Sequence, residues 1–310
     1  MHISRRTSSS RLLLTLLLLL INSVASAASQ KIIAFAQDAM NNDFRKAQVY
    51  ETRAEVALHP NLSFVYSDAK GQTSLLIHHI EGFIKQQVDL LIIGTNDEKA
   101  VVPVIARAYQ QGIPVIILDR GIAGDQYTTF INSDNIKIGT IGGEYIAQRL
   151  DGKGTVLLLE GIQTADVTHL RSKGFLDVMQ MYPEIKVVKR TGNYLRKDAI
   201  IQMEQLIKDG IKVDAIFSES DSMLSGVRLV LNRHKIDPAT IISVGCDYTS
   251  EAKNAILSGT QTASVLFPLG GKASIETAVK ILAGEEVEKH IINPVKLVTS
   301  ENVHDVKPIF

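Results

Sequence analysis

From Lys31 onward the chain alternates short apolar runs with longer stretches in which apolar residues recur every three or four positions. Residues 32–36 read as a strand, and Phe44, Ala47, Tyr50, Ala54 and Ala57 then fall at helical spacing. A strand at 62–66 precedes a helix whose apolar face carries Leu76, Ile80, Phe83 and Ile84. Residues 90–93 and 114–118 are apolar almost throughout, the mark of strands buried on both faces. Between them lies a helix carrying Val101, Val102, Ile105, Ala108 and Tyr109, and a shorter strand at 127–131 closes the set. The second half repeats this order, with strands expected at 155–159, 185–189, 214–217, 241–244 and 262–266 and its clearest helix over 221–234.

Alternating β and α elements imply parallel sheets with helices on both faces. Two such units in tandem predict an α/β protein of two similar doubly wound lobes, although no residue-level repeat relates them. The tail is harder to place. Residues 271–282 predict a helix of mixed face ended by Gly284, and 292–298 a strand. Because the second half already has five strands, the economical reading returns that helix to the first lobe. The chain then crosses between lobes several times, which makes a hinge of strands.

The first residues have a different character. Arg5, Arg6 and Arg11, an apolar core over 12–21 and Ala25-Ser26-Ala27 together read as a signal peptide cleaved after Ala27. Its apolar core is too short to span a bilayer. The remaining roughly 280 residues suffice for two domains of about 100–200 residues each. The sole cysteine, Cys246, lies far from the processing site, so neither a lipid anchor nor a disulfide framework is expected, and the periplasm is the expected compartment. Thirty-three basic residues balance 33 acidic ones, which gives no sign of a nucleic-acid or anionic-membrane partner.

The candidate chemistry sits where apolar runs end. The run 113–118 stops at Asp119-Arg120, and open α/β sheets bind ligands at the carboxyl ends of their strands. Asp38, Asn42, Asp43 and Phe44 follow the first strand; His169, Tyr194, Ser220 and Asp247 follow strands of the second half. A carboxylate accepts from two adjacent hydroxyls, a guanidinium donates in a fixed fork, and flat side chains cover the apolar faces of a sugar ring. Each residue also has a plainer reading: Asp43 and Asp221 as helix caps, Phe44 as core, Tyr194 as a turn aromatic, His169 as a solvent-facing helix residue.

The sequence resembles the periplasmic sugar-binding proteins of the ribose-binding and galactose-binding type, which share their fold with the ligand domains of lac-repressor-like regulators. The resemblance covers 31–298 and rests on Met40-Asn41-Asn42-Asp43-Phe44, the run ending at Asp119-Arg120, Asn132-Ser133-Asp134-Asn135 with Gly139, Arg171 before Gly174-Phe175, and Val244-Gly245-Cys246-Asp247. It implies a first lobe of 31–132 plus 267–295, a second of 133–266 plus 296–310, and ligand contacts at Asn42, Phe44, Asp119, Arg120, Tyr194 and Asp247. It also implies an ABC permease as partner, or alternatively a chemoreceptor or membrane histidine kinase, with the protein acting as a monomer without cofactor, metal or nucleic acid. Several positions depart from the ribose pattern. His169 stands where that pattern has a sugar-binding arginine, Asp38 replaces a serine, Ser220 an asparagine, Arg45 a second aromatic, and Leu266 or Phe267 a glutamine. The expected ligand is therefore a sugar-like solute for which ribose is a poor candidate. With a reference pKa near 6.5, His169 reads either as a group that makes binding sensitive to mild acid or as a histidine facing solvent at a helix start. Phosphate-loop, nucleophile-elbow and zinc-protease motifs are all missing from the sequence, so no enzyme activity is expected.

Overall fold

Strands β3 (Leu90–Gly94) and β4 (Val115–Leu118) are buried at every position, so each must be covered on both faces. The computed structural model describes residues 30–310 and meets this requirement twice. The expected signal segment 1–27 lies outside the described residues. In the first lobe, β1 (Lys31–Gln37), β2 (Leu62–Asp68), β5 (Thr129–Ser133) and β11 (His290–Asn293) join β3 and β4 in a parallel sheet of order β11-β5-β4-β3-β1-β2. Helices α1 (Asp43–Val56) and α9 (Gly271–Leu282) cover one face through Val49, Val56, Ile275 and Ala278; α2 (Thr73–Lys85) and α3 (Val102–Gln110) cover the other. The helix over 271–282 thus belongs to the first lobe, as the strand count suggested.

The second sheet has the order β12-β10-β9-β8-β6-β7, built from β6 (Lys153–Glu160), β7 (Glu184–Thr191), β8 (Ala215–Ser218), β9 (Ile242–Asp247), β10 (Ala263–Leu266) and β12 (Lys296–Thr299). Only β10 and β12 pair antiparallel. Helices α4 (Asn135–Arg149) and α5 (Asp166–Met179) pack on one face, and α6 (Arg196–Lys208) and α7 (Asp221–Arg233) on the other. A short α8 (Ser250–Leu257) caps the edge near β12. Helices α4 and α5 approach unusually closely, because a Cβ on Gly139 would meet the Arg171 carbonyl oxygen at 2.0 Å and one on Gly174 the Ile136 carbonyl oxygen at 2.0 Å. That contact fixes α5 against the sheet.

The chain passes between the sheets three times: from β5 to α4, from β10 to α9, and from β11 to β12. The last passage corrects the sequence reading. The single strand expected over 292–298 is two strands in different sheets, separated by Pro294-Val295, where proline has no N–H to continue a ladder. Strand β5 also starts two residues later than expected.

Several residues at the carboxyl ends of strands adopt left-handed backbone angles: Asp119 (φ 69°), Asn193 (54°), Tyr194 (59°), Asp247 (103°) and Tyr248 (62°). Such conformations cost on the order of 1–3 kcal/mol outside glycine and persist only where the surroundings enforce them. At Asp119, Tyr194 and Asp247 they turn the side chains out of the strands and into the cleft between the lobes.

Candidate ligand-binding site

The first lobe's share of the cleft is a ring of four buried charges. Asn42 caps α1 by accepting from the Arg45 N–H at 2.9 Å, and this sets Arg45 on the first turn, 1% exposed. Its Nη1 pairs with Asp119 Oδ2 at 2.8 Å, and its Nε lies 3.2 Å from Asp38 Oδ1. The second contact is close in charge but poorly aligned, since neither atom completes a hydrogen bond. Asp38 Oδ2 accepts from Arg120 Nη1 at 3.1 Å, and the Thr95 carbonyl accepts from both arginines at 3.0 and 3.3 Å. Burial and the neighbouring Arg120 press the Arg45 pKa down, while Asp38 and Asp119 oppose that shift. Two further polar atoms of this ring, Asp119 Oδ1 and Arg120 Nε, are likewise buried without any hydrogen-bond partner.

The second lobe presents Arg171, Tyr194, Ser220 and Asp247. Arg171 donates through Nε to Asn135 Oδ1 at 2.8 Å and through Nη1 to the Glu219 carbonyl at 2.7 Å. Its guanidinium lies 4.8 Å from the centre of the Phe267 ring, which stacks on Phe44 at 5.1 Å. On the other side, Arg120 sits 5.0 Å over the Tyr194 ring. Ser220 caps α7 by accepting from the Met223 N–H. Asp221, the next residue, accepts from the Tyr248 N–H at 2.7 Å, Thr249 N–H at 3.3 Å, Ser264 Oγ at 2.7 Å and Gln261 Nε2 at 2.8 Å. It thereby braces the left-handed turn that carries Asp247.

Burial raises the pKa of three acids here. Asp221 is pushed up to about 6 despite its four donors, Glu219 to about 7, and Asp247 rises well above the usual carboxylate range, with Asp221 adding to the effect.

Contacts across the cleft hold the lobes closed. Asn42 Nδ2 donates to the Tyr194 carbonyl at 2.8 Å, Asp43 Oδ2 receives Ser222 Oγ at 3.0 Å and Arg196 Nη2 at 3.3 Å, and the Gly121 N–H meets Asp166 Oδ2 at 2.9 Å. The enclosed void is about 20 Å³, space for about one water. A ligand of sugar size enters only as the lobes part.

Of the residues expected at the site, Asn42, Phe44, Asp119, Arg120, Tyr194, Ser220 and Asp247 line this cleft together. Asp38 stands just behind it in the charged ring. His169 does not reach it: the ring is exposed, its Nε2 lies 2.8 Å from the Gln163 carbonyl oxygen, and its neighbours in an outer crevice are Asp97, Glu98 and Lys99. The reason is helical phase. Val167, Arg171 and Phe175 share the buried face of α5, whereas position 169 is turned roughly 200° from Val167. Arg171 occupies the cleft instead, and Phe267 and Val167 complete its apolar wall. The helical spacing of Val167 and Phe175 with Arg171 midway between them carried this signal in the sequence.

Two doubly wound lobes that clamp a polar cleft with an aromatic wall define a hinged binding protein. The chain belongs to the periplasmic binding protein family, whose domain matches residues 33–286. It is 30% identical over 277 residues to the ribose import binding protein of Haemophilus influenzae, covering 89% of this chain and 94% of the relative. Among solved structures, an ABC transporter solute-binding protein from Bacillus halodurans with bound myo-inositol superimposes with a TM-score of 0.85 at 27% identity, covering 91% and 98% of the two chains. The fructose-binding periplasmic domain of a hybrid two-component system matches with a TM-score of 0.84 at 28% identity, covering 89% and 93%.

Proposed function

We propose that this protein is an exported, periplasmic solute receptor that captures one small sugar or polyol by lobe closure and delivers it to an ABC importer. The observation that carries this reading is the unpartnered pair Asp119 Oδ1 and Arg120 Nε, a buried acceptor beside a buried donor. Leaving such groups unsatisfied costs about 1–3 kcal/mol each. A vicinal diol, which both donates and accepts, completes the pair, while Phe44, Phe267 and Tyr194 cover the apolar faces of a ring. Closure follows because a ligand bridging both lobes binds the closed form better. Capture of this kind needs no covalent chemistry, so the protein is read as a binder and not an enzyme. Among the described residues no cluster of metal-ligating side chains occurs, and no helix is long and apolar enough to cross a membrane.

A second reading, delivery of the closed form to a membrane sensor, draws support from the likeness to a periplasmic domain of a two-component system. A thermal-shift screen of sugars, polyols and sugar acids tests the binding claim, since a ligand raises the melting temperature by mass action. Asp119→Ala and Asp247→Ala are each expected to abolish the shift; binding that survives in both variants rules out the cleft. Loss of the ligand-dependent stimulation of a reconstituted permease would move the assignment from import to sensing.

A further inference from the structure

Behind the second lobe's face of the cleft, one hydroxyl is shared by two acids. Ser172 Oγ lies 2.8 Å from Glu160 Oε1 and 2.9 Å from Glu219 Oε1. A serine has a single proton to donate. With both carboxyls ionised, one of these short contacts would set an oxygen lone pair against a charged oxygen. A proton on Glu219 resolves the conflict: Glu219 donates to Ser172, and Ser172 donates to Glu160, whose charge Lys189 Nζ faces at 3.3 Å. The remaining oxygen, Glu219 Oε2, accepts from the Gly161 N–H at 2.8 Å and from the Tyr194 hydroxyl at 3.2 Å. Tyr194 can in turn accept from Thr168 Oγ1 at 2.8 Å. Every polar atom is then matched, and Gly161 is required at its position because a Cβ there would meet the Tyr194 ring at about 2 Å.

The proton belongs on Glu219 and not on Glu160, since Glu219 is completely buried whereas Glu160 has an ammonium partner. The other ionisable groups that face Glu219 are Arg171 on α5, Tyr194 after β7, and Cys246 on β9. Arg171 favours the ionised form, yet it spends its Nη1 on the Glu219 main-chain oxygen, and no ion pair joins the two side chains among the described residues. Main chain and carboxyl of this one residue therefore anchor two of the groups that the second lobe offers to the cleft.

We propose that Glu219 is a positioning residue whose side chain works as a neutral carboxylic acid holding the Tyr194 ring, while its main-chain oxygen holds the Arg171 guanidinium, both in their ligand-binding posture. The inference rests on the reading of the cleft as the ligand site. It is tested first without any ligand. The carbon-13 carboxyl resonance of Glu219, assigned by its disappearance in Glu219→Gln, is followed against pH together with the ring resonance of Tyr194, assigned by Tyr194→Phe. A Glu219 midpoint near 7 is expected, with Tyr194 moving at the same midpoint in the native protein and staying fixed in Glu219→Gln. A midpoint in the ordinary glutamate range, about 4.3, or a Tyr194 signal that ignores the titration, overturns the proposal.

Binding of D-ribose and myo-inositol as probes supplies the second arm. Where only the neutral form is competent, the apparent Kd rises about tenfold from pH 6 to pH 8, and Glu219→Gln, which keeps the shape without the charge, is expected to bind equally at both. Affinity that falls identically in both proteins overturns the role of Glu219. Failure of both probes to bind at any pH counts against the proposed ligand class, while the two resonances still decide the state and the reach of Glu219.

Discussion

The two lobes share an architecture but bury their acids in opposite ways. In the first, Asp38 and Asp119 are neutralised by arginines, in a ring whose ion pairs run from 2.8 to 3.2 Å. In the second, Glu219, Asp221 and Asp247 have no arginine or lysine within ion-pair distance among the described residues, and burial raises all three pKa values. One half of the cleft thus keeps its charges by pairing them, and the other meets the same cost through bound protons and backbone donors. Single substitutions should therefore act very differently on the two halves.

The sharpest break comes from Arg45→Met. It leaves two buried carboxylates with Arg120 alone, and losing one partner of a buried ion pair costs about 3–5 kcal/mol. Urea unfolding at pH 8 measures it; a loss below about 1 kcal/mol would mean that the ring is not a mutually dependent unit.

The second lobe is expected to respond to pH instead. Glu219 and Asp221 titrate higher folded than unfolded, so between about pH 4 and 7 the native state holds protons that the unfolded chain releases. Their contribution is complete below about pH 4, near the unfolded values, and is lost as pH rises through the folded values near 6 and 7. The loss is on the order of 3 kcal/mol for each acid. Glu219→Gln should remove its share, gaining on the native protein at pH 8 and not at pH 4. Asp221→Asn should not behave alike: the amide would turn a donor toward Gln261 Nε2 or toward the Ser264, Tyr248 and Thr249 donors, at a cost of about 1–3 kcal/mol. Equal responses from the two variants would erase this distinction.

Smaller effects are expected where the lobes meet. Asp43 is half exposed, and its contacts with Arg196 and Ser222 run from one lobe to the other. Asp43→Ala should weaken ligand affinity by about 1 kcal/mol or less, readable by calorimetry as a few-fold rise in Kd. His169→Ala should leave that affinity unchanged, because its ring lies outside the cleft.

Much of this was legible in the sequence, for identifiable reasons. Asp119, Asp247 and Tyr194 end apolar or turn-bounded strands, and strand ends are where such folds gather ligands. The return of α9 to the first lobe followed from counting strands. Arg171 and His169 were misjudged because they were weighed by position in a motif, not by the 3.6-residue phase that places Arg171 on the buried stripe of α5. The charged ring was not readable, since Asp38, Arg45 and Asp119 come from three separate elements. Nor was the proton on Glu219, which depends on a hydroxyl shared between β6 and the turn after β8.

The three passages between the sheets also dictate an order of assembly. Strand β5 waits for its outer neighbour until His290 arrives opposite Phe130, and α1 lacks its packing partner until Gly271 has been made. The second lobe also has five of its six strands in one continuous stretch, but unlike the first it has all four helices that cover its sheet in that stretch as well. A chain growing from its amino end can therefore cover both faces of its middle sheet before those of its first, and the nascent first lobe, with the α9 side of its sheet still bare, is the stage at which a chaperone or a premature stop would matter most.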